Sequence, residues 1–197
     1  MKKLLMSSMC ILSLATMAMA QEEKLLRNEM AVGYGLLNSN QVINSFSNVL
    51  AGSVTNGNYA KTNNKWTGSI FASYKFAVSK NVSLGVTYAH TRNTADISVY
   101  NVPSGSSTTN YHTFAGEFQY NYISKPLVRL YSLVGAGITN YTERYKPMNG
   151  SAERTSASHF NFQITALGIK LGNRVGVMAE VGYGYKGLVN AGVYARL

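Results

Sequence analysis

The hydrophobic and polar positions of this chain alternate with period two over most of its length, most clearly at the end. Over 175–185 one parity is Val175, Val177, Ala179, Val181, Tyr183 and Tyr185, and the other is Gly176, Met178, Glu180, Gly182 and Gly184. Over 189–197, Val189, Ala191, Val193, Ala195 and Leu197 alternate with Asn190, Gly192, Tyr194 and Arg196. Such alternation is the mark of strands, whose successive side chains point to opposite faces. The apolar parity is continuous, while the other mixes glycine, amide and single charges suited to a crowded interior. That is the arrangement of a barrel with lipid outside and polar side chains inside.

Six further strands are expected upstream, over 27–37, 66–77, 82–100, 111–123, 127–141 and 159–171. On the third, Leu84, Val86, Tyr88 and His90 oppose Ser83, Gly85, Thr87 and Ala89; on the fourth, Phe114, Phe118, Tyr120 and Tyr122 oppose Glu117, Gln119 and Asn121. The fifth has an ambiguous facing around Leu133-Val134-Gly135-Ala136-Gly137. Tight turns are expected at Ser79-Lys80-Asn81, Ser124-Lys125-Pro126 and Gly172-Asn173-Arg174, and long loops over 38–65, 101–110 and 145–158. Long and short connections therefore alternate, and Lys186-Gly187 closes the last hairpin on the long-loop side. Glu180 would then lie opposite Tyr194 and diagonal to Arg196.

Within the first long connection, Val42, Ile43, Phe46, Val49 and Leu50 recur at helical spacing, with Ser39 or Asn40 placed as N-cap. A short amphipathic helix outside the membrane is expected there, packing over the barrel rim. Thr55-Asn56-Gly57-Asn58 and Thr62-Asn63-Asn64 read as an exposed loop.

The N-terminus adds an address. Lys2 and Lys3, an apolar stretch from Leu4 to Met17 and Ala18-Met19-Ala20 form a secretory signal, with cleavage after Ala20 and a mature domain over 21–197. The single cysteine, Cys10, lies within that signal, so the mature chain has no thiol chemistry. No later stretch reaches the roughly 18 apolar residues of a membrane helix, so only closed strands can span. Tyrosine is abundant, at 14 residues against one tryptophan, as interfacial girdles require. Without Lys2 and Lys3, 16 basic residues face 8 acidic ones. For an exported chain this excludes nucleic acid as the expected partner and suits lipopolysaccharide or a solubilised rim.

With these strands and turns in place, the chain over 21–197 resembles the small eight-stranded outer-membrane proteins of the OmpA/OmpX-like barrel superfamily. Its last strand, with Val189, Val193, Tyr194 and Leu197, is similar to the signal read by the barrel assembly machinery, although Leu197 stands where many relatives carry Phe. The resemblance implies an all-β, antiparallel up-and-down transmembrane barrel in the outer membrane of a Gram-negative bacterium, a porin-like fold that is monomeric and touches outer-membrane lipids and lipopolysaccharide.

An eight-stranded barrel is filled by its own side chains. Glu29, Glu117, Arg129, Glu180 and Arg196 are the expected lumenal charges, and unpaired charge there is costly, so a structural polar network centred on Glu180, Arg196 and Arg129 is expected. Catalysis on lipid would need a histidine beside serine and an orienting partner. His90 and His112 fall near the outer ends of adjacent strands on the lipid side, but no histidine is followed two positions later by serine, the pattern of lipid A deacylase barrels. No metal site or cofactor is expected. The expected function is a non-enzymatic barrel displaying external loops to a surface ligand; a lipid-modifying enzyme, a narrow channel or a soluble lipid-binding barrel are the alternatives.

Overall fold

The computed structural model of the chain describes residues 27–54, 59–100 and 102–197. The expected signal peptide and the turn-rich Thr55-Asn56-Gly57-Asn58 lie outside the described residues. The strands, in chain order, are β1 (Asn28–Leu36), β2 (Tyr59–Ala77), β3 (Val82–Val99), β4 (Val102–Ser124), β5 (Val128–Pro147), β6 (Glu153–Gly172), β7 (Val175–Gly184) and β8 (Val189–Arg196), with one helix, α1 (Ser39–Val54), after β1. Each strand pairs antiparallel with the next, and β8 returns to β1 from Glu29–Arg196 to Leu36–Val189, closing an eight-stranded ring.

Closure explains how polar backbone survives in lipid, because no strand edge is left within the spanning part. The outward parity is apolar on every wall: Met30, Val32 and Leu36 on β1, Leu84 and Val86 on β3, Phe114 and Phe118 on β4, Val134 and Ile138 on β5, Val177 and Val181 on β7 are all exposed. The inward parity is buried and mostly polar or charged, with Ala31, Phe71, Leu133 and Met178 among the apolar exceptions. A nine-residue strand such as β1 rises about 30 Å, and at the tilt usual in such barrels it covers about 25 Å of bilayer normal, the height of the apolar band. On β5 the ambiguous facing resolves cleanly: Arg129, Tyr131 and Leu133 point inward, and Val134, Ala136 and Ile138 outward.

The three short turns stand where expected. Ser79 shows why they hold: its Oγ accepts from the Val82 amide at 3.1 Å, while the Val78 amide donates to the Val82 carbonyl at 2.9 Å.

The long connections are corrected. Residues 101–110 are expected as a loop, yet strand resumes at Val102, and the chain reverses near Tyr100, whose φ is +52°. Most of 145–158 likewise belongs to β5 and β6, and 59–65 to β2. Thr62-Asn63-Asn64 is the site of a β-bulge between the pairs Thr62–Asp96 and Lys65–Thr94, and Asn63 takes a φ of +51° to absorb it. Further out the inward parity stays buried, at Ala95, Ile97, Ser107 and Thr109, but much of it is small and polar, so the apolar alternation fades while the backbone ladder continues; Ser, Thr and Asn there read as loop although they pair.

The helix is also longer than the stretch ending at Leu50, and its cap is neither Ser39 nor Asn40. Asn38 Oδ1 accepts from the Gln41 amide at 3.0 Å, with Leu37 before it at a φ of +57°. The side turned to the barrel is polar rather than apolar: Asn38, Ser39 and Asn40 are buried, whereas Val42 and Ile43 are exposed. The side chains of Phe46, Val49 and Leu50 lie outside the described residues.

Candidate functional site

The lumen is built from alternate residues of all eight strands, and it holds four cations against three carboxylates: Lys75, Arg129, Lys170 and Lys186 with Glu29, Glu117 and Glu180, all buried. They sort into levels. Nearest the short turns, Glu29 on β1 accepts from Arg129 Nη1 at 2.8 Å and from Lys170 Nζ. Lys170 also donates to Gln119 Oε1 at 3.1 Å and lies 4.6 Å above the Tyr131 ring, and Arg129 lies 5.0 Å above Tyr194. These rings offer their negative faces to cations that have left water.

At mid-height, Glu117 holds Lys186 at 2.7 Å and Lys75 at 3.3 Å and accepts from Tyr185 Oη at 2.7 Å. Glu180 accepts from Tyr131 Oη at 2.7 Å and Asn190 Nδ2 at 3.1 Å, with Lys186 3.7 Å away. Tyr131 fits because β6 carries no side chain where the ring passes: a Cβ at Gly168 would fall within it.

At the far end, α1 begins across the opening. Asn38 Nδ2 donates to Thr91 Oγ1 at 3.2 Å, Ser39 Oγ donates to Asn161 Oδ1 at 2.9 Å, Asn161 Nδ2 donates to Asn40 Oδ1 at 3.2 Å, and Asn44 Nδ2 donates to Tyr111 Oη at 3.2 Å. The start of the helix is thus tied to β3, β4 and β6 at once.

Of the five expected lumenal charges, Glu29, Glu117, Arg129 and Glu180 sit inside, joined through Lys170, Gln119, Lys75 and Lys186. Glu180 pairs with Asn190 across β7 and β8, not with Tyr194, because the hairpin is centred on Tyr185 rather than on Gly187 and its last pair is Val181–Val189. Arg196 pairs instead with Glu29 in the β1–β8 register and lines the mouth at the short-turn end, half-buried. The Lys186-Gly187 connection is not displayed outside but folds into the lumen. Gly184, with a φ of +149°, turns the chain so that Tyr185 leaves the lipid-facing parity and becomes buried with Lys186.

Three lysines were missed. Lys75 shares a parity with Phe71 and Ser73, opposite Ile70, Tyr74 and Phe76, a signal present in the sequence. Lys170 is hidden by a bulge between the pairs Thr165–Gly182 and Leu167–Val181, which moves the inward parity from Asn161, Gln163 and Thr165 to Gly168 and Lys170. Lys186 reads as turn and carries no strand signal.

His90 and His112 pair across β3 and β4 with ring centroids 4.7 Å apart, on the outward face. His112 Nδ1 is 2.7 Å from Tyr88 Oη. His159 is elsewhere, its Nε2 3.3 Å from Asn40 Oδ1. Among the described residues no group of three or more His, Cys, Asp or Glu side chains is placed to hold a metal ion.

A closed ring, an outward apolar belt and an inward charge network define a membrane-spanning β-barrel. No family model matches the chain. No curated protein matches it in sequence. Among solved structures, two crystal structures of Ail, the attachment invasion locus protein of Yersinia pestis, are similar: one, in complex with the heparin analogue sucrose octasulfate, at 15% identity and a TM-score of 0.44, the other at 16% and 0.42. Each comparison covers 86% of this chain and 95% of the other. At these values the class of the protein rests on its own ring and belt.

Proposed function

We propose that the chain is a non-enzymatic, monomeric protein of the bacterial outer membrane, exported through a signal over 1–20, folded by the barrel assembly machinery, and displaying a rigid sheet to a ligand outside the cell. The observation that carries this reading is the unequal height of the wall. β2 to β6 run 18 to 23 residues, while β1, β7 and β8 have 8 to 10. Pairing of β2 with β1 ends at Gly35–Ser69, and pairing of β6 with β7 ends at Gln163–Gly184. Outer residues 59–66 of β2 and 153–161 of β6 are therefore sheet edges among the described residues.

An open edge presents unpaired N–H and C=O groups, which an extended segment of another protein can join as an added strand. The filled lumen supports a display role over a channel. His112 supports the non-enzymatic reading, since its Nδ1 is engaged by a phenol rather than by a serine or a carboxylate.

Binding of cells producing the protein to immobilised host proteins or glycans tests this reading. Proline at Ser156 and Ser158 on the β6 edge should abolish binding while the heated and unheated gel mobilities of the barrel stay as in the parent. Binding that survives both edge substitutions and removal of residues 148–152 would contradict it.

A further inference from the structure

The end of the barrel carrying the short turns has a chemistry that the display role does not use. A small cavity of about 30 Å³ opens there, lined by Arg27, Lys75, Lys80, Arg129 and Arg196 with Glu29 as its one carboxylate. Glu29 is already engaged by Arg129 and Lys170. Each short turn adds a cation to the rim, Lys80, Lys125 and Arg174, and none of the three contains an acid.

Lys75 and Arg129 are the buried cations of this lining, and Lys75 is already held by Glu117 and Gln119. Arg129 is only 4% exposed, spends Nη1 on Glu29 and stacks on Tyr194, yet its Nε and Nη2 have no hydrogen-bond partner among the described residues. Leaving guanidinium N–H groups buried and unmet is expensive, and their planar fork matches an oxyanion better than any neutral acceptor. The cavity opens at the mouth and has room beside Arg129 for one compact tetrahedral group.

The geometry points to a phosphate-binding pocket at the short-turn mouth, with Arg129 as the buried fork and Arg27, Lys80 and Arg196 as the surrounding collar. Under the outer-membrane reading proposed above, this mouth faces the periplasm. The phosphate is then either a free ion or the phosphate of an anionic phospholipid of the inner leaflet whose headgroup reaches past the rim.

The test uses the full mature chain, folded in zwitterionic micelles and separately in vesicles of phosphatidylcholine with or without phosphatidylglycerol, titrated calorimetrically with inorganic phosphate at constant ionic strength. Saturable binding is expected in micelles, weakened about tenfold by the rim double substitution Arg27→Gln with Lys80→Gln, or by Arg129→Gln, as befits loss of charge-assisted hydrogen bonds. Phosphate affinity lowered by phosphatidylglycerol identifies the headgroup as the source; equal affinity in both vesicles identifies the free ion. Absence of saturable heat in micelles, or an affinity unchanged in both the rim and the Arg129 variants, overturns the assignment. The gel mobility of the same preparations before and after boiling reports separately whether the barrel itself stands.

Discussion

Lys186 Nζ lies 2.7 Å from Glu117 Oε1 with both side chains fully withdrawn from solvent, although Lys186 belongs to the connection after β7 and Glu117 to the middle of β4. The last connection is therefore pinned to the opposite wall by charge. Breaking such a pair strands the remaining ion in low dielectric. Glu117→Gln should cost about 3–5 kcal/mol in urea unfolding from vesicles, because Lys75 loses its carboxylate and Lys186 keeps only Glu180 at 3.7 Å. Adding Lys186→Met to Glu117→Gln should recover part of that loss, as removal of both charges is cheaper than removal of one.

Packing beside the network makes a second prediction. Tyr131 leans along the inner wall over the bare backbone of Gly168 to donate to Glu180, two strands away. Gly168→Val should destabilise the barrel by about 1–3 kcal/mol, as overpacking does, and should shift the near-ultraviolet circular dichroism of the buried tyrosines. Unchanged stability would mean that the ring does not lie over this glycine.

At the far mouth, the Asn38 cap serves both helix and barrel. Asn38→Ala removes the acceptor for the Gln41 amide and the donor to Thr91, and capping losses are typically about 1 kcal/mol. Amide exchange should rise at Gln41 and Val42 while that of β7 and β8 stays unchanged. Equal protection in variant and parent would show that the helix is held by its apolar side instead.

Glu143 on the outer sheet gives a prediction in pH. Burial alone would raise its carboxyl, but hydrogen bonds from Lys61 and Ser107, with the Lys61 charge, hold it below the ordinary carboxylate value. A depressed carboxyl stabilises the folded sheet above the unfolded-state value of about 4.5 and loses that contribution as pH falls through the lower folded value. A carbon-detected NMR titration should find Glu143 titrating below 4.5, and Lys61→Met should move it upward.

How far the sequence could be read is clearest in two strands. On β4 the aromatic parity of Phe114, Phe118, Tyr120 and Tyr122 and the inward Glu117, Gln119 and Asn121 are legible because lipid and lumen impose opposite demands on neighbouring positions. On β6 the same logic fails at Lys170, since the bulge at Thr165–Leu167 reverses the parity and bulges carry no reliable local signal. The outer sheet was hidden for another reason. Residues such as Ser106, Thr108 and Asn110 belong to long strands held by the backbone ladder, and because the buried Ser107 and Thr109 between them are equally polar, no hydrophobic alternation marks the strand. Tyr185 and Lys186 needed the third dimension, because their inward turn depends on Gly184 and on Glu117 some 68 residues away.

The closed, membrane-spanning barrel is tested most directly by electrophoresis of the membrane fraction, unheated and boiled, after an alkaline wash. A compact species that resists detergent, changes mobility only on boiling and stays with the membranes through the wash is the result expected of a ring sealed between β1 and β8. Identical mobility in both samples, with release of the protein by the wash, would contradict closure and the lipid-facing belt together.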